Sequence, residues 1–102
     1  MSELAYLAGV FDGEGSFGNW SRGTDKGREF RVSIEMADSD VILRFLTYFQ
    51  KGTITLRPPR QEGYKTLYHW RVCRDKGKEV VRLMLPYLSK RRQAKFHEVS
   101  LS

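Results

Sequence analysis

Cysteine is nearly absent from this chain. Cys73 is its single copy, which removes an internal disulfide framework, and two histidines with no accompanying cysteine cluster form no zinc-site pattern. A reducing, intracellular setting is the expectation, with cytoplasm and organelle both open. No apolar run reaches the roughly 18 residues that a membrane-spanning helix requires, and the first residues carry neither a signal-peptide nor a transit-peptide pattern. No membrane partner is therefore expected. Repeats, low-complexity tracts and linker-like stretches are missing as well, so residues 1–102 are expected to form a single domain around one core. Negative charge is the scarcer sign: twelve Asp and Glu against eighteen Lys and Arg leave a formal net charge of +6. A polyanionic partner suits that balance, nucleic acid first, although ribosomal, membrane-surface and merely solvated basic proteins share it.

What is present is most informative between Leu7 and Gly15, where Leu7-Ala8-Gly9-Val10-Phe11 runs into Asp12-Gly13-Glu14-Gly15. The first half reads as an apolar helix, and the carbonyl dipoles at its end make that end partially negative. Asp12 and Glu14 thus sit where carboxylates are least welcome. A bound divalent cation would resolve the conflict, and a cation beside a phosphate is hydrolytic chemistry. A glycine-rich turn with solvated acids reads equally well from these residues alone. Ala5, Gly9 and Gly13 fall every four positions, on one stripe of the helix, with Leu4, Leu7 and Phe11 on its flank. Each glycine within a helix costs about 1 kcal/mol relative to alanine, which calls for a packing reason. Close approach of a second copy of the same helix supplies one.

Leu7 to Gly15, extended by Ser16-Phe17, closely resembles the signature of the LAGLIDADG homing endonucleases, in the variant with phenylalanine, glycine and glutamate in its second half. The resemblance implies that the signature helices of two domains pack together at the centre of the enzyme. It also implies that the final acid of each motif binds divalent metal beside the scissile phosphates. Matched position by position, that acid is Glu14, with Gly13 as the neighbouring metal ligand and Asp12 as a structural acid. Mg2+ is the implied cofactor, with Mn2+ as a substitute. One motif per chain implies a homodimer of C2 symmetry, paired through Ala5, Ala8, Gly9, Asp12 and Gly13, on a roughly palindromic double-stranded DNA site.

The remainder of the chain alternates hairpin with helix. Ser16–Arg22 and the period-two run Phe30–Met36 read as strands about a polar turn at residues 23–27. Asp38 caps a helix carrying Val41, Ile42, Phe45, Leu46 and Phe49, which Gly52 ends. Thr53–Arg57 and Leu67–Arg74 read as strands joined by a loop with Pro58 and Pro59. Lys76–Leu88 presents Val80, Leu83, Met84 and Leu88 on a helical face, with Pro86 ending or kinking it. Residues 90–99 are polar and basic. The expectation is an α+β domain of order αββαββα with a short tail, its antiparallel sheet forming a DNA-binding saddle as the resemblance implies.

Strand period two assigns the sheet faces. If Val32, Ile34, Ile54 and Leu56 face the helices, then Arg31, Ser33, Glu35, Thr53, Thr55 and Arg57 face outward; Trp70 and Val72 likewise turn His69 and Arg71 outward. Such a face suits the major groove, although any antiparallel sheet with one solvated face shares the pattern. The first strand is ambiguous: alignment from Gly15 places Gly18, Trp20 and Arg22 on the DNA side, whereas hydrophobicity favours burying Trp20. Near the end, Leu85-Pro86-Tyr87-Leu88 before Lys90-Arg91-Arg92-Gln93 resembles the family's stretch that carries an active-site lysine. Lys90 matches it, and a one-residue shortening leaves Arg91 as the alternative. The glutamine or similar polar residue that many relatives place at the end of the second strand is replaced by Met36, with Glu35 and Asp38 flanking it. The function implied is metal-dependent hydrolysis of both DNA strands by a homing endonuclease. The alternative is a regulator or RNA-splicing maturase of the same fold.

Overall fold

The computed structural model describes residues 2–21, 23 and 27–100. Helix α1 (Glu3–Glu14) leads into strands β1 (Gly15–Ser21) and β2 (Arg28–Met36), helix α2 (Ser39–Phe49), strands β3 (Thr53–Arg57) and β4 (Leu67–Cys73), and helices α3 (Arg74–Met84) and α4 (Lys90–Ser100). The strands form one antiparallel sheet in the order β1-β2-β4-β3. The α+β class and the αββαββα order therefore stand, with one correction: the basic segment after Leu88 is a helix and not a tail. Its cap was the missed signal, because the Ser89 hydroxyl accepts from the Arg92 amide at 3.4 Å.

Each element follows from local chemistry. The Ser2 hydroxyl accepts the Ala5 amide at 3.1 Å and opens α1. Asp38 accepts the amides of Asp40 and Val41 and opens α2, which closes one residue past its end on Gln50 in the left-handed region, φ 54°. Gly52 then turns the chain at φ +96°, where a Cβ would lie 2.6 Å from the Arg71 carbonyl oxygen, so only glycine passes. Arg74 starts α3 two residues earlier than its sequence suggests. That helix buries Gly77, Val80, Val81 and Met84, which keep a three-and-four spacing, while Leu83 falls off that face and is exposed. After Met84 the chain tightens into a 3-10 turn at Leu85–Tyr87, as Pro86 demands.

The core lies between the helices and one face of the sheet. Trp70 is fully buried against Phe45 and Phe49, and its indole N–H donates to the Lys51 carbonyl at 2.9 Å. At the other end Phe17, Phe30 and Phe96 meet with ring centroids about 6 Å apart, which docks α4 against β1 and β2. Val32, Ile34, Trp70 and Val72 face inward as the period-two pattern requires. Leu56 shares that face, opposite Tyr68, but at 63% exposure it is left uncovered near the end of β3, an edge strand of the sheet. The pairing of Phe17 with Val32 and Gly18 with Arg31 settles the register of β1. Trp20, opposite Glu29, lies on the outer face and is partly exposed. Arg22, read as DNA-facing, is outside the described residues.

Gly15 joins α1 to β1 with no space for a side chain, since a Cβ there would lie 2.2 Å from the Phe11 ring. Gly15→Ala is expected to destabilise the fold by about 1–3 kcal/mol through overpacking, read as a lower thermal unfolding midpoint. An unchanged midpoint would contradict this account of the junction.

Candidate nucleic-acid interface and acidic site

The end of α1 carries both acids of the signature, and the structure gives them opposite tasks. Asp12 turns toward α4, where its Oδ1 accepts the Ser89 amide at 3.1 Å. A carboxylate unwelcome at the end of one helix is thus placed at the start of another, where exposed amides and the dipole favour it. Arg92 returns across the same gap. Its Nη2 donates to the Gly15 carbonyl at 2.7 Å, its Nε lies 3.6 Å from Asp12 Oδ1, and its guanidinium lies 5.4 Å from the Phe11 ring centre. Burial pulls the Arg92 guanidinium below its ordinary pKa, Asp12 counteracts this, and Arg91 adds to the fall. The positive charge that the helix end calls for comes from the chain itself.

Glu14, two residues on, stays outside this arrangement. It is exposed and, among the described residues, makes no hydrogen bond or ion pair. It lines a shallow hollow of about 370 Å³ with Ser16, Ser33, Ile34, Glu35, Arg57 and His69. The Ser16 and Ser33 hydroxyls lie 3.4 Å apart at its floor. Strand register brings Thr53, Thr55 and Arg71 onto the same sheet face, with Thr53 and Ser33 both paired to Arg71 and Thr55 and Glu35 both paired to His69. Arg31 shares that face, its Nε donating to Glu29 at 2.8 Å. Glu29 also accepts from Arg74 at 2.9 Å, and these two bonds hold its carboxyl below the usual carboxylate range.

The expected residues are therefore mostly assembled, with exceptions. Lys90 and Arg91 are exposed, line no part of the Glu14 hollow and make no hydrogen bond or ion pair among the described residues. Arg92, passed over in the basic run, is the cation that reaches the α1–β1 junction. Met36 pairs with Tyr68 on the inner side of the sheet, so no polar group takes its place in the hollow. Ser16 was also missed, although its position two residues beyond Glu14, one step along the strand, was the available cue.

The donor set can be weighed against a hard cation. Carboxylate and hydroxyl oxygens are the right chemistry for Mg2+, and the carbonyl of Gly13, in the last turn of α1, lacks a partner further along its helix. The count is short: among the described residues no group of three His, Cys, Asp or Glu is placed to hold an ion. Glu14 and the Gly13 carbonyl are the right donors but too few in one chain to hold an ion. On the remaining face of α1, Gly9 and Gly13 are exposed, and a Cβ on either would meet nothing within 4 Å. Ala5 beside them is half-buried, whereas Ala8 is fully buried in the chain's own core and belongs to no partner-facing stripe. No described helix is long and apolar enough to cross a membrane.

This is an α+β protein with helices on one face of a twisted antiparallel sheet and an unpaired glutamate where its first helix meets the open face. No family sequence model and no curated protein sequence matches the chain. Solved structures do share its fold. The homing endonuclease I-CvuI, in complex with its target in the presence of calcium, superposes with a TM-score of 0.70 at 19% identity, covering 96% of this chain and 68% of that one. The LAGLIDADG homing endonuclease I-GzeII, in complex with its DNA target, gives 0.72 at 19%, covering 95% and 33%. The group I intron-encoded homing endonuclease I-CeuI, complexed with DNA, gives 0.65 at 14%, covering 97% and 52%. This chain has the LAGLIDADG homing-endonuclease fold. It spans about a third of I-GzeII and about half of I-CeuI.

Arg92→Met keeps bulk but removes the donor to Gly15 and the charge beside Asp12. A loss of about 1–3 kcal/mol is expected, measured by denaturant unfolding. A variant as stable as the wild type would show that the Asp12–Arg92 clasp contributes nothing.

Proposed function

We propose that the chain is one subunit of a homodimeric homing endonuclease that hydrolyses both strands of a long, roughly palindromic DNA site with Mg2+, or Mn2+ in its place. The observation that carries this reading is Glu14: an exposed, unpartnered carboxylate at the end of a helix whose neighbouring glycine stripe is open. A second copy packed on Gly9 and Gly13 would bring its own Glu14 alongside. The two carboxylates repel each other unless a cation lies between them, so assembly and metal binding reinforce each other. Support for DNA as substrate comes from the formal charge of +6 and from the polar outer face with Arg31, Arg57, Arg71 and His69. Similarity to proteins solved as DNA complexes adds to it.

In this reading each residue has a limited task. The outer sheet face holds the duplex, phosphates through cations and base edges through Arg, Ser and Thr. Arg92 and Asp12 fix the α1–β1 junction and so fix where Glu14 points. Glu14, with the Gly13 carbonyl, would hold Mg2+, which when bound activates water and stabilises the departing 3′ oxygen. Lys90 or Arg91, exposed at the start of α4, supplies positive charge to the phosphate once DNA is seated. The inward turn of Met36 favours a second reading, a regulator or maturase of the same fold in which binding persists and cleavage is weak.

A randomised duplex library treated with the protein and Mg2+ separates the two. Divalent-dependent double-strand cuts at one sequence are expected, and Glu14→Gln should abolish them while folding and part of the site-specific binding remain. Cutting by Glu14→Gln at the wild-type rate would refute the assignment, and tight binding without cutting in Mg2+ or Mn2+ would favour the second reading. Light scattering tests assembly. The wild type should be a dimer and Gly9→Leu chiefly a folded monomer; a wild type that is monomeric both free and on DNA would refute the self-paired site.

A further inference from the structure

Arg57 and Glu35 belong to strands that are not neighbours. In the order β1-β2-β4-β3, β4 lies between them, and its His69 pairs with Glu35 on one side and Thr55 on the other. Arg57 nevertheless reaches across β4, bringing its Nη2 to 3.1 Å from Glu35 Oε2. That oxygen is buried and the contact lacks the alignment of a hydrogen bond, so placement and charge hold the pair. Among the described residues no hydrogen bond consumes an N–H of Arg57, and its side chain is about half exposed, 54%. Both residues line the hollow that contains Glu14.

We propose that Glu35 and Arg57 act as one base-reading unit, in which Glu35 anchors the guanidinium across the sheet and Arg57 presents its free N–H donors to a guanine beside the phosphate that Glu14 addresses. This rests on the DNA-binding reading above. A guanidinium donates two parallel bonds to guanine O6 and N7 only when its plane is fixed, and a flexible arginine loses that geometry and settles for phosphate. Glu35 is then a positioning residue for specificity, acting through Arg57. Acting alone, a glutamate on this face would instead accept a hydrogen bond from a cytosine amino group. The two roles differ in which variant changes which base pair.

The test is selection of bound sequences from a random duplex library, in Ca2+ to suppress cutting, with the full chain and the variants Arg57→Ala, Arg57→Lys, Glu35→Gln and Glu35→Gln/Arg57→Ala. The wild type should enrich a guanine at one position of each half-site. Arg57→Ala should lower that preference by about 5- to 150-fold, the range of a bidentate contact. Arg57→Lys keeps the charge but not the fork, and should lose the preference as well. Glu35→Gln should weaken it at the same base pair, and the double variant should be no worse than Arg57→Ala. Thermal unfolding near the wild-type midpoint confirms that each variant is folded. Glu35→Gln altering a different base pair from Arg57→Ala, or altering none, would overturn the unit while leaving DNA recognition intact. A wild type that enriches no sequence would overturn the DNA-binding reading itself, and this inference with it.

Discussion

The Asp12 carboxylate sits between two helix ends, and most of the arrangement at the candidate site depends on it. It faces the carbonyl end of α1, which disfavours it, and the amide end of α4, which favours it. Its bond to the Ser89 amide decides the balance. Arg92 then spans from α4 back to the Gly15 carbonyl, so the α1–β1 junction is held by a charge pair and two hydrogen bonds to main-chain groups. Gly15 leaves no freedom there, because the Phe11 ring occupies the volume that a side chain would need. Glu14 stands between these fixed points without a partner of its own.

That division separates what the molecule uses for itself from what it leaves available. Inward-facing residues of the sheet close a core with four helices on one side. The opposite face keeps Ser33, Glu35, Thr55, Arg57, His69 and Arg71, and α1 keeps an open stripe at Gly9 and Gly13. Each helical glycine costs about 1 kcal/mol, a cost that the isolated chain does not recover, since a Cβ at either position would meet no neighbouring element within 4 Å. Pairing of two such stripes is the proposed compensation, and it would complete an acidic site of which one chain carries half.

Much of this was legible in the sequence because period and punctuation agreed. The alternation from Phe30 to Met36, the Asp38 cap and the signature at Leu7–Gly15 each encode local structure directly, and all three sit where they were expected. What the sequence concealed depends on partners distant in the chain. Leu56 has the alternation of a buried residue but lies on an edge strand. Ala8 has the size of a stripe residue but faces the core. Arg92 is one cation in a run of three, and only the return of α4 to α1 distinguishes it from Lys90 and Arg91. The Glu35–Arg57 pair spans a strand, a relation that strand order creates and period two does not.

The central claim is that one chain holds half of a metal-dependent site that a second copy completes. The most direct measurement is the separation of the two Glu14 carboxylates in a crystal structure of the protein on a library-selected duplex with Ca2+. Carboxylates sharing a cation must lie within about 5 Å of each other, since each oxygen ligates at about 2.3–2.6 Å. The account predicts that spacing, with α1 packed on α1 and the scissile phosphates beside the ions. Glu14 side chains on remote faces of the complex, or a single chain on the duplex with no ion at Glu14, would contradict it.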